Sequence, residues 1–265
     1  MGDNFYQNVS GLTLPAFIGH GSPMNAIESN QYTQAWTQFG LGRPKPRAVL
    51  SISAHWYINS TMVTAMHVPR TIHDFYGFPP ELFNFEYQTK GDPTIANEVI
   101  EAVSPTKVDP DLESWGIDHG TWSVLCHVFP DADVPVLQLS IDASAPIGFH
   151  FDLGRKLAPL SEKGILVLGS GNVVHNLRRI DWSLPDDGFD WAHQFNNEVI
   201  EVMTNDVSKV LEMPRHQSFT LASPTPDHFL PLVYIAGMLH EIGVSAKTFV
   251  NGYAYGSLSM AAFSA

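Results

Sequence analysis

Histidine is the residue type that stands out: twelve occur in 265 residues. Neutral imidazole is the commonest metal ligand and the side chain that titrates nearest pH 7, so a histidine cluster can hold an ion and also move protons. Three of the twelve follow aliphatic runs. Leu14 to Ile18 leads into Gly19-His20-Gly21, Ala48 to Ala54 leads into His55-Trp56, and Ile165 to Leu168 leads through Gly169-Ser170-Gly171 to His175-Asn176. His228 closes Pro224-Thr225-Pro226-Asp227-His228, a proline-stiffened entry to an apolar stretch, and stiff backbone suits a site that must keep its geometry. His119 has a carboxylate beside it in Asp118-His119-Gly120-Thr121. His67, His127, His150, His193, His216 and His240 lack such surroundings and read as ordinary core or surface residues. His73 stands between the two groups, because its own loop is unusually aromatic.

Other chemistries find little support. Gly169-Ser170-Gly171 is half of a dinucleotide fingerprint, but Val174 stands where the third glycine is wanted. No nucleophile elbow, Walker loop or H-E-x-x-H is present. The single cysteine, Cys126, falls on an apolar helical face and reads as a buried structural thiol.

The elements that must position these histidines follow from periodicity. Short aliphatic runs bounded by glycine read as strands buried on both faces. Strands are expected at 14–18, 48–54, 62–66, 134–141, 165–168 and 247–250. Between them lie helical patterns: Asn25 to Phe39; a stretch capped by Asp92-Pro93 with Ile95, Val99 and Ala102 on one face; Trp122, Leu125, Cys126 and Phe129; Leu153, Leu157 and Leu160; Trp191, Phe195 and Val199; and Leu232 to Leu239, starting near Pro231. Pro69 to Pro80 is irregular and aromatic, and reads as a loop packed over a pocket. Ser114 to Gly120 is expected to be a loop. The alternation predicts an α/β fold, a single domain over 1–265 with a mostly parallel central sheet flanked by helices. In such sheets ligands sit outside the carboxyl ends of the strands, where His20, His55 and His175 are expected.

Bulk properties narrow the partners. A formal net charge of -13 argues against nucleic acid, which needs clustered Lys and Arg, and against an anionic membrane surface. No apolar run reaches the ~18 residues of a spanning helix. One cysteine and no basic leader predict a reducing, cytoplasmic setting. Oligomeric state leaves no mark in the sequence.

Taken in order, GHGSPM at Gly19 to Met24, SAHW at Ser53 to Trp56, RTIHDFYGFP at Arg70 to Pro79, DHGTW at Asp118 to Trp122, GSGNVVHN at Gly169 to Asn176, SPTPDH at Ser223 to His228 and GSLSM at Gly256 to Met260 form a pattern. Together they closely resemble the DOPA 4,5-dioxygenase family, within the class III (LigB-type) extradiol ring-cleaving dioxygenases, over nearly the whole chain. The resemblance implies a LigB-like fold and a non-haem Fe(II) site for a catechol such as DOPA and for O2, with a muconic semialdehyde as product. It implies His20, His55 and His228 as metal ligands and His175 and His119 as the acid–base pair beside them. One departure stands out: this class usually uses two histidines and a glutamate, whereas the third position here is His228. An all-histidine set also suits Zn(II), which family members can carry, with His175 as a fourth ligand in the absence of substrate. A zinc hydrolase using a metal-bound water, and a non-catalytic interaction protein on the same fold, are the alternative readings.

Overall fold

A computed structural model describes residues 11–265. The expected domain, 1–265, includes residues 1–10, which lie outside that description. The centre is a six-stranded sheet: β1 (Ala16–Gly19), β2 (Ala48–Ser53), β3 (Val136–Gln138), β4 (Ile165–Gly171), β5 (Lys247–Val250) and β6 (Ala262–Ser264), in the spatial order β3-β2-β4-β1-β6-β5. The pairs β2–β3, β2–β4 and β1–β4 are parallel, and only β6 runs against its neighbours. The sheet is therefore mostly parallel, as the alternation of elements predicts.

Strand residues alternate between two cores. Phe17, Leu50, Ile52 and Val167 point to one face, where they join α4 (Ile147–Leu157), α5 (Asp190–Asn205) and α6 (Leu230–Ile242). Ile18, Val49, Leu166 and Leu168 point to the other, against α1 (Gln31–Leu41) and α3 (His119–Val128). α2 (Pro93–Ala102) covers the edge of the first face with Ile95 and Val99. Burial on both faces is what makes these strands read as unbroken aliphatic runs.

Four expectations are corrected. The helix placed at Asn25 to Phe39 begins only at Gln31: Asn30 accepts from the Tyr32 and Thr33 amides and Thr33 Oγ1 accepts from the Asn30 amide, a reciprocal cap that starts the helix late. Residues Pro23–Ala26 form a separate 3-10 turn. The single strand over 134–141 divides into β3 and a short strand at Ile141–Asp142, which pairs with Tyr57–Ile58 outside the main sheet. The strand at 62–66 is confined to Met62–Thr64 and pairs with Asp109–Asp111, also outside the main sheet. Finally, the strand expected at 165–168 continues through Gly169-Ser170-Gly171. Its glycines serve the approach of a helix: a Cβ on Gly171 would lie 2.2 Å from the His228 carbonyl oxygen, and one on Gly169 would lie 2.8 Å from that of Pro231. No helix among the described residues is long and apolar enough to cross a membrane.

Candidate metal and acid–base site

Strand register sets the site. Gly19 of β1 pairs with Gly171 of β4, and Ser53 of β2 pairs with Ser170, so the three strands end level at one edge. His20 and His55 lie just beyond that edge. His228 arrives from the opposite direction, on a 3-10 turn (Pro226–His228) that feeds α6, where Pro231 sits in the first turn and needs no amide partner. The His20, His55 and His228 side chains offer nitrogens that all lie within 4.8 Å of one another.

Each of these imidazoles has one nitrogen committed elsewhere. Ser170 Oγ donates its only proton to the Gly120 carbonyl, so at the 2.9 Å contact it must accept from His20 Nδ1–H. His55 Nδ1 donates to Asp74 Oδ2 at 3.0 Å, and His228 Nδ1 donates to Asp227 Oδ2. In all three rings Nε2 is therefore the lone pair. His20 Nε2 and His55 Nε2 approach to 3.2 Å. Two lone pairs this close repel unless a proton or a cation lies between them. The donor chemistry thus fits a divalent metal held by three neutral imidazoles whose N–H groups are oriented from behind.

A second group, His55, Asp74 and His119, also offers three clustered ligand atoms. There Asp74 is already spent. Its Oδ1 accepts from His119 Nδ1 at 2.7 Å and from the His119 amide at 3.2 Å, while Oδ2 accepts from His55. Asp74 thus joins the two rings and is not left as a ligand.

His119 is the first residue of α3, which differs from the expected loop through Gly120. Asp118 caps the helix through the Thr121 amide, is held on its other oxygen by Gln138 Nε2, and accepts from Ser53 Oγ on β2. That buried network ties the start of α3 to the sheet and sets His119 3.9 Å from His55, ring centre to ring centre. His175 lies four residues past β4 with its amide bonded to the Ala222 carbonyl. Its ring stacks on that of His228 at 3.5 Å with 4° between the planes. It is not among the three converging donors.

Burial, followed by the neighbouring imidazoles, holds His20 and His228 well below the ordinary histidine value. Burial pushes His175 down to about 4 and lowers His119 against the pull of Asp74. Burial opposes charge on His55 too, but Asp74, Asp118 and Asp227 outweigh it and raise that ring. Asp74, despite burial, is held far below the carboxylate range by His119 and His55. Around neutral pH His20, His119, His175 and His228 are therefore neutral, and Asp74 behind His55 and His119 is ionised.

The site opens into a cleft of about 520 Å³. Phe75, Tyr76 and Phe78 line it, so the aromatic loop does pack over a pocket, as its composition predicts. His73 does not face it and bonds the Phe85 carbonyl at 2.8 Å. His127, His150, His193 and His216 are engaged elsewhere, by the Asn25 carbonyl, Tyr234, Asp187 and Glu198.

Residues 16–263 match the family model described as the catalytic LigB subunit of aromatic ring-opening dioxygenase. The chain belongs to this family. It is 45% identical over 258 residues to the 4,5-DOPA dioxygenase extradiol of Escherichia coli K12, covering 95% of this chain and 94% of that relative. It is 34% identical to the protein of the same name from Beta vulgaris, covering 85% and 86%. The crystal structure of an uncharacterized protein from Escherichia coli K12 superposes with a TM-score of 0.83 at 40% identity, over 95% of this chain and 99% of that one. Membership fits the mostly parallel α/β sheet and metal-dependent ring-opening chemistry. Three residues carry weight that sequence reasoning did not assign: Asp74, Ser170 and Asp227. Asp74 and Asp227 do stand inside quoted motifs, beside histidines, and that adjacency is the signal that could have found them.

Proposed function

We propose that this dioxygenase holds Fe(II) through His20, His55 and His228 and cleaves a catechol ring beside its diol, placing both atoms of O2 in a muconic semialdehyde. L-DOPA is the catechol to which the relatives' names point. The observation that carries the assignment is the convergence of three Nε2 lone pairs, each fixed by a partner on Nδ1. Iron is preferred over zinc because Zn(II) has no redox chemistry with which to meet O2. When bound, Fe(II) supplies the open positions for catechol and O2 and the electron exchange between them.

The protein's own residues handle protons. His119 suits a proton acceptor at Nε2: Asp74 holds its Nδ1–H and its carboxylate stabilises the imidazolium that forms. His175, whose ring lies against His228 and lines the same cleft, is the second proton-transfer group in this reading. Its parallel stack on His228 argues against a fourth ligand, because no single point lies in both ring planes and each lone pair lies in its own plane. The cleft walls from the aromatic loop reduce water around the reacting ring.

Oxygen uptake tests the reading. Metal-free protein is reloaded anaerobically with Fe(II) or Zn(II) and exposed to L-DOPA or catechol in air. Uptake with a new yellow absorbance in the iron sample alone is expected. Silence with every catechol at full iron occupancy would overturn it and favour the zinc hydrolase, which an all-histidine set also suits.

A further inference from the structure

We infer that Arg178 and Arg179 bind the carboxylate of an amino-acid-bearing catechol and so set a preference for substrates whose substituent is anionic. The inference rests on the ring-cleavage reading above and adds to it the residues that recognise the substituent.

A catechol whose diol faces the three Nε2 atoms turns its far end to the mouth of the cleft. The diol belongs to the metal in that reading, and a doubly deprotonated diol offsets the charge of a divalent ion. Charge on the substituent must then be met at the rim. One side of the rim is a single run of chain, in which His175, Leu177, Ile180 and Trp182 all line the cleft. Between Leu177 and Ile180 stand Arg178 and Arg179, both exposed, on the 3-10 turn Leu177–Arg179. Such a turn has about three residues per revolution, so Leu177 and Ile180 share the face toward the cleft and the two arginines flank it. An arginine stem is long enough to fold over that rim, and Leu177 and Ile180 suit the methylene that joins ring and carboxylate.

The turn is tied down at both ends. Asn176 is buried, and its side chain accepts from the Arg178 amide at 3.1 Å and donates to the Leu221 carbonyl at 2.7 Å. Its carbonyl accepts from the Arg179 amide at 3.0 Å and from Ser257 Oγ at 2.9 Å. Beyond the turn, the Asp181 amide donates to the Tyr255 carbonyl at 2.9 Å. The backbone that carries both arginines is therefore held in register with His175, which directly precedes Asn176.

The charge census singles out the same pair. Acidic residues outnumber Lys and Arg by 27 to 14, so an arginine on this surface should readily find a carboxylate. Arg47 and Arg155 do, at Glu98 and Glu241. Arg43 and Arg70 are turned to the Leu14 and Ser114 carbonyls, and Arg215 lines a separate groove beside α5. The guanidinium groups of Arg178 and Arg179 have no hydrogen-bond or ion-pair partner among the described residues. A guanidinium is a planar fork that can bond both oxygens of a carboxylate, and two of them side by side at the mouth of the cleft are completed by that group.

The test uses iron-loaded protein, an oxygen electrode and four catechols that share one ring: L-DOPA, 3,4-dihydroxyphenylpropionate, dopamine and 4-methylcatechol. In unmodified protein kcat/KM for the propionate is expected to exceed that for dopamine by about threefold or more, although a net charge of -13 favours the cation. That comparison needs no variant. In R178A/R179A the ratio of L-DOPA to 4-methylcatechol in kcat/KM is expected to fall about tenfold, through KM and not kcat. R178K/R179K should recover part of the ratio by keeping the charge, and R178E/R179E should place dopamine ahead of the propionate. Dopamine outrunning the propionate in unmodified protein would overturn the inference. So would an unchanged ratio in R178A/R179A, or one lost through kcat alone, which a merely structural turn would produce. Failure of ring cleavage itself looks different: no uptake with any of the four, 4-methylcatechol included, removes the activity and the inference with it.

Discussion

At the residue scale the site depends on which nitrogen each imidazole presents. Asp74 decides this for two rings at once, with one oxygen on His55 and the other on His119. D74N keeps the shape but turns an amide N–H toward one ring N–H. Either His55 or His119 must flip or lose its partner. Metal affinity or kcat/KM is expected to fall about 10–100-fold, measured by competition with a chromophoric chelator and by oxygen uptake. His228 and His175, although stacked, should part company under mutation. H228A is expected to abolish stoichiometric metal in elemental analysis. H175A is expected to keep the metal and lose roughly 10²–10⁴ in kcat; loss of metal from H175A would make it a ligand.

At the scale of elements, β4 and α6 meet without side chains between them. The Gly171 position abuts the His228 carbonyl, so the strand that ends in Ser170 and the turn that delivers His228 are positioned by one contact. G171A must push that turn away. A loss of about 1–3 kcal/mol in urea unfolding is expected, together with weakened metal binding. This contact also explains what was legible in the sequence. The buried strand runs and the histidines after them are local features, so the parallel sheet and the placing of His20 and His55 at its edge could be read directly. The strand character of Gly169 to Gly171 could not, because the reason for those glycines lies some sixty positions later, in the approach of α6. The aromatic loop could be recognised as a pocket cover from composition. The role of Asp74 within it could not, since its partners His55 and His119 come from other parts of the chain. His119 as the first residue of a helix was hidden by the glycine that follows it, while the cap at Asp118 depends on Gln138 and Ser53 from two strands.

At the scale of the whole molecule, buried neutral histidines make acid the natural enemy of the fold. His150 lies between α4 and α6, fully buried, with Nδ1 against the Tyr234 hydroxyl, and burial pushes it down to about 4. Its folded value is below the ordinary one near 6.5, so the unfolded chain binds the extra proton first. The contribution is intact above pH 6.5 and falls as pH drops toward 4, costing up to about 3 kcal/mol. Urea unfolding of metal-free protein at pH 7.5 and 4.5 should show the drop, and H150Q should show a smaller one. The three converging histidines add a further property. They stand at positions 20, 55 and 228, far apart along the chain. An ion bound by all three is a cross-link, and it closes one short and one very long loop of polypeptide in the unfolded ensemble. Strand β1, strand β2 and helix α6 are thereby riveted at one point, and the rivet is removable. Chelation should lower the melting temperature and open all three segments to amide exchange together, which makes thermal stability a gauge of metal loading that needs no substrate.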